Sequence, residues 1–202
     1  MEYFFAYLSI FSPLLPLLTL TVRKVDSTIR WVVLFVILSF LSDLINLIII
    51  KMDLIEGNNY FMYKIYGFLE TAVLLVFYYK VLDKKRLVWM LGSIFLVFYL
   101  VDVIYIEPDS FHAFGRSVQS ILLIFYSLML FLQFFQKEED IFLDRKPVFW
   151  VNVGLMVYFS GAFFSFMLSN YLLNSPQYIW AFHNFSNFLK NLLIGIGIWK
   201  SR

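Results

Sequence analysis

Long apolar segments separated by short polar ones constrain this chain more than any other feature of its sequence. We find seven such segments, each close to the roughly 20 helical residues needed to cross a hydrocarbon layer about 30 Å thick. They cover residues 3–22, 30–50, 60–81, 87–106, 112–135, 147–171 and 178–199. The sequence therefore predicts an all-α, multi-pass membrane protein in which seven transmembrane helices form one bundle.

Composition and short connections predict a single transmembrane domain over residues 1–202. Hydrophobic residues make up 61% of the chain and charged residues 15%, an apolar excess that the core of a soluble domain cannot bury. Polar connections such as "EPDS" and "LNSPQ" leave no room for a soluble domain. The first segment lacks a basic leader and a small-residue cleavage site, so we expect a retained helix that bends at Pro13 and Pro16.

The distribution of lysine and arginine predicts the orientation of the bundle, because basic residues stay on the cytoplasmic side during insertion. In the connections, at the segment ends that border them and at the C-terminus, twelve of these residues fall on one side and only Lys51 falls on the other. This alternation predicts an external N-terminus and a cytoplasmic C-terminus in the plasma or inner membrane. We expect the lipid bilayer as one partner and a signalling protein at the basic inner loops as another. We expect no nucleic-acid partner, since no basic stripe lies beside water-facing aromatic residues.

Six charged side chains, three acidic and three basic, fall inside the predicted segments and away from the segment ends. A single unpaired charge at that depth costs several kcal/mol, so we expect ion pairs or a wet cavity. Helix direction places Glu70 and Lys190 near the middle of the membrane and the others nearer its outer face. The six are Asp43, Lys64, Glu70, Asp102, Arg116 and Lys190.

Polar residues spaced three or four positions apart give several segments a polar face. The longest such face lies on the last segment, from His183 to Asn191, and Phe182 and Phe185 lie on the opposite side. We expect the polar faces to converge on the axis of the bundle. The candidates for contact with a ligand or an ion are Asp43, Asn46, Lys64, Glu70, Asp102, Arg116, Gln119, His183, Asn187, Lys190 and Asn191.

A purely structural role is the alternative for many polar residues, because interhelical hydrogen bonds and small-residue contacts hold membrane bundles together. Asn152 has the character of an interhelical tie. Gly161, Ser165 and Ser169 recur every fourth residue and predict a close helix contact. Aromatic residues present a similar choice between facing lipid and lining a pocket. Those that share faces with polar groups are Tyr63, Tyr66 and Trp180.

Seven segments, an external N-terminus and Lys190 midway along the last segment resemble the microbial rhodopsins. In that family, such a lysine binds retinal as a Schiff base near a carboxylate on the third helix, and the resemblance implies that Lys190 and Glu70 are the matching pair. Ser186 stands where the family usually has an acid. The third segment, "YKIYGFLETAVLL", lacks the arginine and the aspartate-tryptophan pattern of that family.

The last two segments, "KPVFWVNVGLMVYFSGAFFSFMLSNYLL" and "WAFHNFSNFLKNLLIGIGIWK", resemble a second group of proteins. These are uncharacterised bacterial seven-helix membrane proteins that are often encoded beside sensor histidine kinases. The resemblance covers about a quarter of the chain and implies an association with signalling. Lys190 does not belong to the shared pattern.

Catalytic motifs are absent from the sequence. There is no serine nucleophile elbow, phosphate-binding glycine loop or metalloprotease motif. The chain has no cysteine and two histidines, so we expect no bound metal or cofactor and do not expect an enzyme. Acid–base chemistry on a lipid headgroup by a pair such as Asp43 and Asp102 is the enzymatic alternative.

Two hypotheses of function lead. In the first, a sensory or accessory signalling protein binds a small ligand in an outward-facing cavity lined by polar and aromatic residues, and the ligand changes how the helices are arranged. In the second, an ion or proton channel or transporter relays charge through Asp43, Glu70, His183 and Lys190. A lipid-modifying enzyme and a retinal-binding protein are less favoured.

Overall fold

The computed structural model of the chain describes residues 2–52, 60–108, 113–136, 142–168 and 176–201 and is helical with no strand in these ranges. A π-helical turn, Asp102–Ile106, continues α5, and a short 3₁₀ turn, Leu143–Arg145, precedes α7. The α-helices of the described ranges are α1 (Glu2–Phe11), α2 (Leu14–Thr19), α3 (Ile29–Met52), α4 (Tyr60–Val81), α5 (Lys85–Val101), α6 (Ala113–Gln136), α7 (Pro147–Leu168) and α8 (Pro176–Trp199).

Five helical stretches within the described residues are long and apolar enough to cross a membrane, which is compatible with a multi-pass membrane protein. Large apolar side chains cover their outer surfaces; Phe61 and Phe135, for example, are each 70% exposed. The five stretches are Ile29–Ile49, Tyr60–Val81, Lys85–Ile106, Ala113–Gln136 and Pro147–Leu168. Helix α8 has 24 residues, but its polar face lowers its hydropathy below that of these five.

The first predicted segment forms two short helices rather than one bent helix. Helix α1 ends at Phe11 and α2 begins at Leu14, so the helix is interrupted at Ser12 and Pro13. Proline has no N–H and its ring blocks the preceding turn, which explains a break at this point. The Ser12 hydroxyl donates to the Ser9 carbonyl at 2.8 Å and so satisfies part of the interrupted backbone.

The other predicted segments agree with the helices to within a few residues where the structure describes them. The fourth segment, predicted over 87–106, begins at Lys85 and changes from α to π geometry at Asp102. The end of the sixth, residues 169–171, lies outside the described residues, as do the connections 53–59, 109–112, 137–141 and 172–175.

Two of the predicted structural contacts are confirmed. Asn152 of α7 donates from Nδ2 to the Ser127 carbonyl at 3.0 Å and accepts from the Tyr78 hydroxyl at 3.2 Å, so it ties α7 to α6 and α4. Gly161 lies against Ser186 of α8, where a Cβ would come within 2.6 Å of the Ser186 Cβ. The third member of that predicted contact face, Ser169, lies outside the described residues.

Buried apolar side chains concentrate toward one end of the bundle. Most of them come from the first halves of α3 and α7 and from the second halves of α4, α6 and α8, as Phe35, Leu74, Leu130, Leu155 and Ile198 illustrate. The same end carries the basic connections at residues 23–30, 80–86 and 145–146. The other end of the bundle is therefore left for the polar faces of the helices.

Candidate functional site

A cavity of about 170 Å³ lies between α1, α3, α4, α6, α7 and α8. Nine polar or charged side chains and five aromatic side chains line it. Its lining comes from the second halves of α3 and α7 and the first halves of α4, α6 and α8, so it lies at the end of the bundle opposite the basic connections. The lining residues are Ser9, Ser39, Ser42, Asp43, Asn46, Tyr63, Tyr66, Arg116, Tyr158, Phe166, Trp180, His183, Asn184 and Asn187.

Arg116 and Glu70 form a buried ion pair at one wall of the cavity. Arg116 Nη1 lies 2.6 Å from Glu70 Oε2, and the two side chains are 8% and 0% exposed. Gln119 joins them, since its Oε1 accepts from Arg116 Nη1 at 2.7 Å and its Nε2 donates to Glu70 Oε2 at 2.9 Å. The Tyr66 hydroxyl donates to Glu70 Oε1 at 3.0 Å. Both oxygens of the Glu70 carboxylate are therefore satisfied.

The Arg116 guanidinium also lies against two aromatic rings of the cavity wall. Its central carbon is 5.7 Å from the centre of the Tyr66 ring and 5.1 Å from that of Phe166, distances at which a ring attracts a cation. Nη1 makes the bonds to Glu70 and Gln119, and the Nε and Nη2 hydrogens take no part in them. Arg116 can therefore offer further donors to the cavity.

Asp43 and His183 contribute polar atoms without a partner. Among the described residues, Asp43 Oδ2 and His183 Nδ1 are both buried with no hydrogen-bond partner. The His183 ring lies between aromatic side chains, with its centre 5.7 Å from that of Tyr158, 5.6 Å from that of Phe166 and 5.9 Å from that of Trp180. A buried carboxylate oxygen is costly without a donor, so Asp43 favours a cationic or N–H group in the cavity.

Lys190 lies farther along α8 than the lining residues and is completely buried. Its Nζ is 4.3 Å from the centre of the Tyr158 ring and 4.6 Å from that of Phe35. Within the described residues this Nζ has no hydrogen-bond partner. Asp43 and Glu70 are close enough to act on it electrostatically. The ammonium is thus held by aromatic faces and by the field of two carboxylates rather than by a direct ion pair.

Two asparagines of α8 bind the broken first segment. Asn187 Nδ2 donates to Ser9 Oγ at 2.8 Å, and Asn191 Nδ2 donates to Ser12 Oγ at 2.7 Å. The Oδ1 atoms of both asparagines are buried without a partner among the described residues. The polar face of α8 therefore has both structural bonds and unused acceptors.

Lys64 and Asp102 belong to a second polar group. Lys64 Nζ donates to the carbonyls of Glu107 and Pro108, at 2.6 Å each. Asp102 is completely buried, and its carboxylate accepts from the Gly115 backbone N–H. Burial raises the pKa of the Glu107 carboxyl above its ordinary value, and the nearby Asp102 carboxylate adds to the rise. This group joins the start of α6 to the π-helical turn.

The structure thus brings most of the predicted site residues together and separates two of them. Lys64 and Asp102 do not line the cavity, so the acid pair of the enzymatic alternative, Asp43 and Asp102, is divided between two places. Of the others, Asp43, Asn46, Arg116, His183 and Asn187 line the cavity, and Glu70, Gln119, Lys190 and Asn191 are buried in the same bundle interior.

Besides three aromatic residues, six lining residues were not among the candidates predicted from the sequence: Ser9, Ser39, Ser42, Tyr158, Phe166 and Asn184. Ser9 lies three residues before Ser12, and Tyr158 lies three residues before Gly161, so helical spacing was an available signal for both. Phe166 gave no signal, because an aromatic residue in an apolar segment is expected to face lipid. Tyr63, Tyr66 and Trp180, for which the sequence left lipid and pocket open, line the cavity.

No group of three His, Asp or Glu side chains in the described residues is arranged to hold a metal ion. Comparison with protein-family models, with curated proteins and with solved structures finds no match to this chain. The resemblances to rhodopsins and to kinase-associated membrane proteins therefore stay predictions. Glu70, which the first resemblance pairs with Lys190, forms its ion pair with Arg116 instead.

Proposed function

We propose that this protein is a receptor-like membrane protein that binds a small ligand in the cavity and passes its occupancy to a partner on the other side of the membrane. The observation that carries the proposal is the one-sided arrangement of the bundle. Polar and aromatic groups line a cavity at one end, and packed apolar side chains fill the other. A cavity that is closed at its inner end is suited to binding rather than to passage.

The proposal includes a topology of seven crossings with the N-terminus outside. Helices α1 and α2 together, and α8, supply the two crossings beyond the five that length and hydropathy support. The positive-inside rule assigns the basic end to the cytoplasm of a plasma or inner membrane. The cavity then opens toward the outside, where a ligand can reach it.

Single cysteines test this orientation, because the native chain contains none to give background. Met52 at the end of α3 and Ser27 before its start are both exposed. A membrane-impermeant thiol reagent added to intact cells should label Met52→Cys, and should label Ser27→Cys only after the membrane is permeabilised. The reverse pattern would refute the topology.

A matched pair of serines tests the opening of the cavity. Ser42 lines it, whereas Ser120 is 1% exposed and does not. A small, water-soluble thiol reagent should react with Ser42→Cys from the outside of intact cells and leave Ser120→Cys unmodified. Equal protection of both cysteines would mean that no ligand can enter, and the proposed function would fail.

Helix α8 is the element best placed to carry a signal. Its first half lines the cavity, and its last residues contact groups at the basic end. Lys200 Nζ lies 3.7 Å from Asp144 Oδ2 and 5.6 Å from the centre of the Trp150 ring, while Arg23 lies over Trp199 at 4.8 Å. A ligand that favours one position of α8 would alter this surface, where we place the signalling partner.

An ion or proton pathway is the second candidate, and the buried Lys190 favours it. Its ammonium lies near Asp43 and Glu70 without a hydrogen-bond partner among the described residues, a condition found in groups that exchange protons. The packed apolar half of the bundle opposes it. Purified protein in liposomes should be electrically silent if the receptor proposal is right. Current, or a pH change that Glu70→Gln abolishes, would favour the pathway.

A further inference from the structure

The charges around the cavity limit what can bind there at low cost. Two carboxylates, Asp43 and Glu70, and two cations, Arg116 and Lys190, lie in or beside it, so the formal charges balance. A ligand with a net charge would upset this balance in a place with little water, and an ion left unbalanced there is costly. A ligand without net charge would preserve it.

The two charged residues that line the cavity, Asp43 and Arg116, can nevertheless form further hydrogen bonds, Asp43 as an acceptor and Arg116 as a donor. Asp43 Oδ2 is a buried acceptor with no partner among the described residues, and Asn187 Oδ1 is a second such acceptor. Arg116 uses Nη1 for its bonds and has further N–H groups on a guanidinium that lines the cavity. The cavity therefore offers acceptors for an ammonium and donors for a carboxylate.

Size and wall chemistry restrict the body of the ligand. A cavity of about 150 Å³ holds a benzene ring in a protein interior, so 170 Å³ suits a molecule of roughly six to ten non-hydrogen atoms. Five aromatic side chains supply apolar wall between the polar groups: Tyr63, Tyr66, Tyr158, Phe166 and Trp180. An aliphatic or small aromatic group fits such a wall better than a second polar group does.

We propose that the ligand is a small zwitterion, of the free amino acid type, whose ammonium binds Asp43, whose carboxylate binds Arg116 and whose apolar body contacts the aromatic wall. This inference rests on the proposed function and specifies the chemistry of its ligand. The carboxylate would share Arg116 with Glu70 through the N–H groups that the ion pair does not use. The ammonium would donate hydrogen bonds to Asp43 Oδ2 and Asn187 Oδ1, which lack donors among the described residues.

Three probes of one shape separate the charges. L-leucine has both of them, isopentylamine lacks the carboxylate, and 4-methylpentanoate lacks the ammonium. Binding to the full-length protein in nanodiscs can be followed by calorimetry and by the increase in unfolding temperature that a bound ligand causes. Leucine should bind at least about tenfold more tightly than either analogue, because each analogue leaves one buried charged group unpaired.

Substitution of Asp43 tests whether this residue binds the ammonium of leucine. Asp43→Asn should weaken leucine binding by about tenfold or more and change 4-methylpentanoate binding little, since only the ammonium contact is lost. Asp83→Asn is the control, because Asp83 is an exposed carboxylate at the opposite end of the bundle, between α4 and α5. The comparison of the three probes on the unaltered protein needs no variant and so does not depend on how any variant folds.

The outcomes separate this inference from the function on which it rests. If an analogue binds as tightly as leucine, or if Asp43→Asn leaves the affinity for leucine unchanged, the zwitterion proposal is refuted, while the proposal of a ligand-binding cavity stands. If none of the three probes binds, the zwitterion is equally overturned. The labelling of Ser42→Cys then decides the proposed function by itself, because it reports whether the cavity is open whatever the ligand.

Discussion

Glu70→Gln should destabilise the protein by about 3 kcal/mol, because breaking a buried ion pair leaves its other member uncompensated. The carboxylate accepts bonds from Tyr66, Arg116 and Gln119, and it is 0% exposed. An amide of the same shape has one acceptor oxygen, and its NH₂ must face one of these donors. The loss of stability therefore has two causes: Arg116 loses the negative charge that balances it, and at least one hydrogen-bond donor is left facing the NH₂ group of the new amide.

The paired variant tests whether this loss belongs to the pair. In Glu70→Gln with Arg116→Gln, both charges are gone and three neighbouring amides can exchange hydrogen bonds. The double variant should be less destabilised than the sum of the single variants by about 2 kcal/mol or more. Free energies of unfolding can be measured in mixed micelles of mild detergent and dodecyl sulfate, with tryptophan fluorescence as the signal.

A surface ion pair provides the control for this measurement. Lys200 and Asp144 are 3.7 Å apart with side chains 31% and 61% exposed, so Asp144→Asn should change the free energy of unfolding by no more than about 0.5 kcal/mol. A Glu70→Gln protein as stable as the unaltered one, or single losses that simply add, would refute the reasoning. Either result would mean that water rather than Arg116 compensates the Glu70 carboxylate.

Two further predictions concern the helix contact and the second polar group. Gly161→Ala should cost about 1 to 3 kcal/mol, because the new methyl group would come within 2.6 Å of the Ser186 Cβ. Gly195→Ala should be nearly neutral in the same unfolding assay, because the nearest atom of the described residues, the Pro16 nitrogen, would lie 3.6 Å from the methyl group. Glu107→Gln should flatten the pH dependence of the free energy of unfolding. Because the pKa of the Glu107 carboxyl is raised in the folded protein, its protonated form favours folding. This contribution is lost in the unaltered protein as the pH rises through the folded-state pKa, and it is absent from the variant. An unchanged slope on titration from about pH 4 to about pH 8 would contradict it.

The sequence predicted the helices well because their signal is local. Each apolar segment must be long enough to cross lipid and must satisfy its own backbone, so its position depends only on nearby residues. The break at Ser12 and the π-helical turn at Asp102 were not predicted. A proline in a membrane helix permits either a bend or a break, and neighbouring helices decide which one forms.

The sequence also predicted which faces turn inward, but not which groups meet. Spacing on one helix puts Tyr66 and Glu70 on the same face, and the hydrogen bond between them follows. Spacing cannot give the rotation and height of one helix relative to another. That relation between helices decides that Glu70 binds Arg116, while Lys190 lies against aromatic rings.

Helix α8, which lines the cavity, is held by its contact with α7 and by hydrogen bonds to the first segment. Ser186 of α8 fills the space that Gly161 leaves on the face of α7, and a Cβ at Gly154 would lie 3.0 Å from the Lys190 carbonyl. Close packing around small residues couples the two helices, so a displacement of α8 is transmitted to α7. Because Asn187 and Asn191 bond to the first segment, a ligand that shifts α8 along α7 would draw that segment with it. In the proposed receptor, the close contact with α7 and these two bonds are therefore the routes by which a bound ligand would move other helices together with α8.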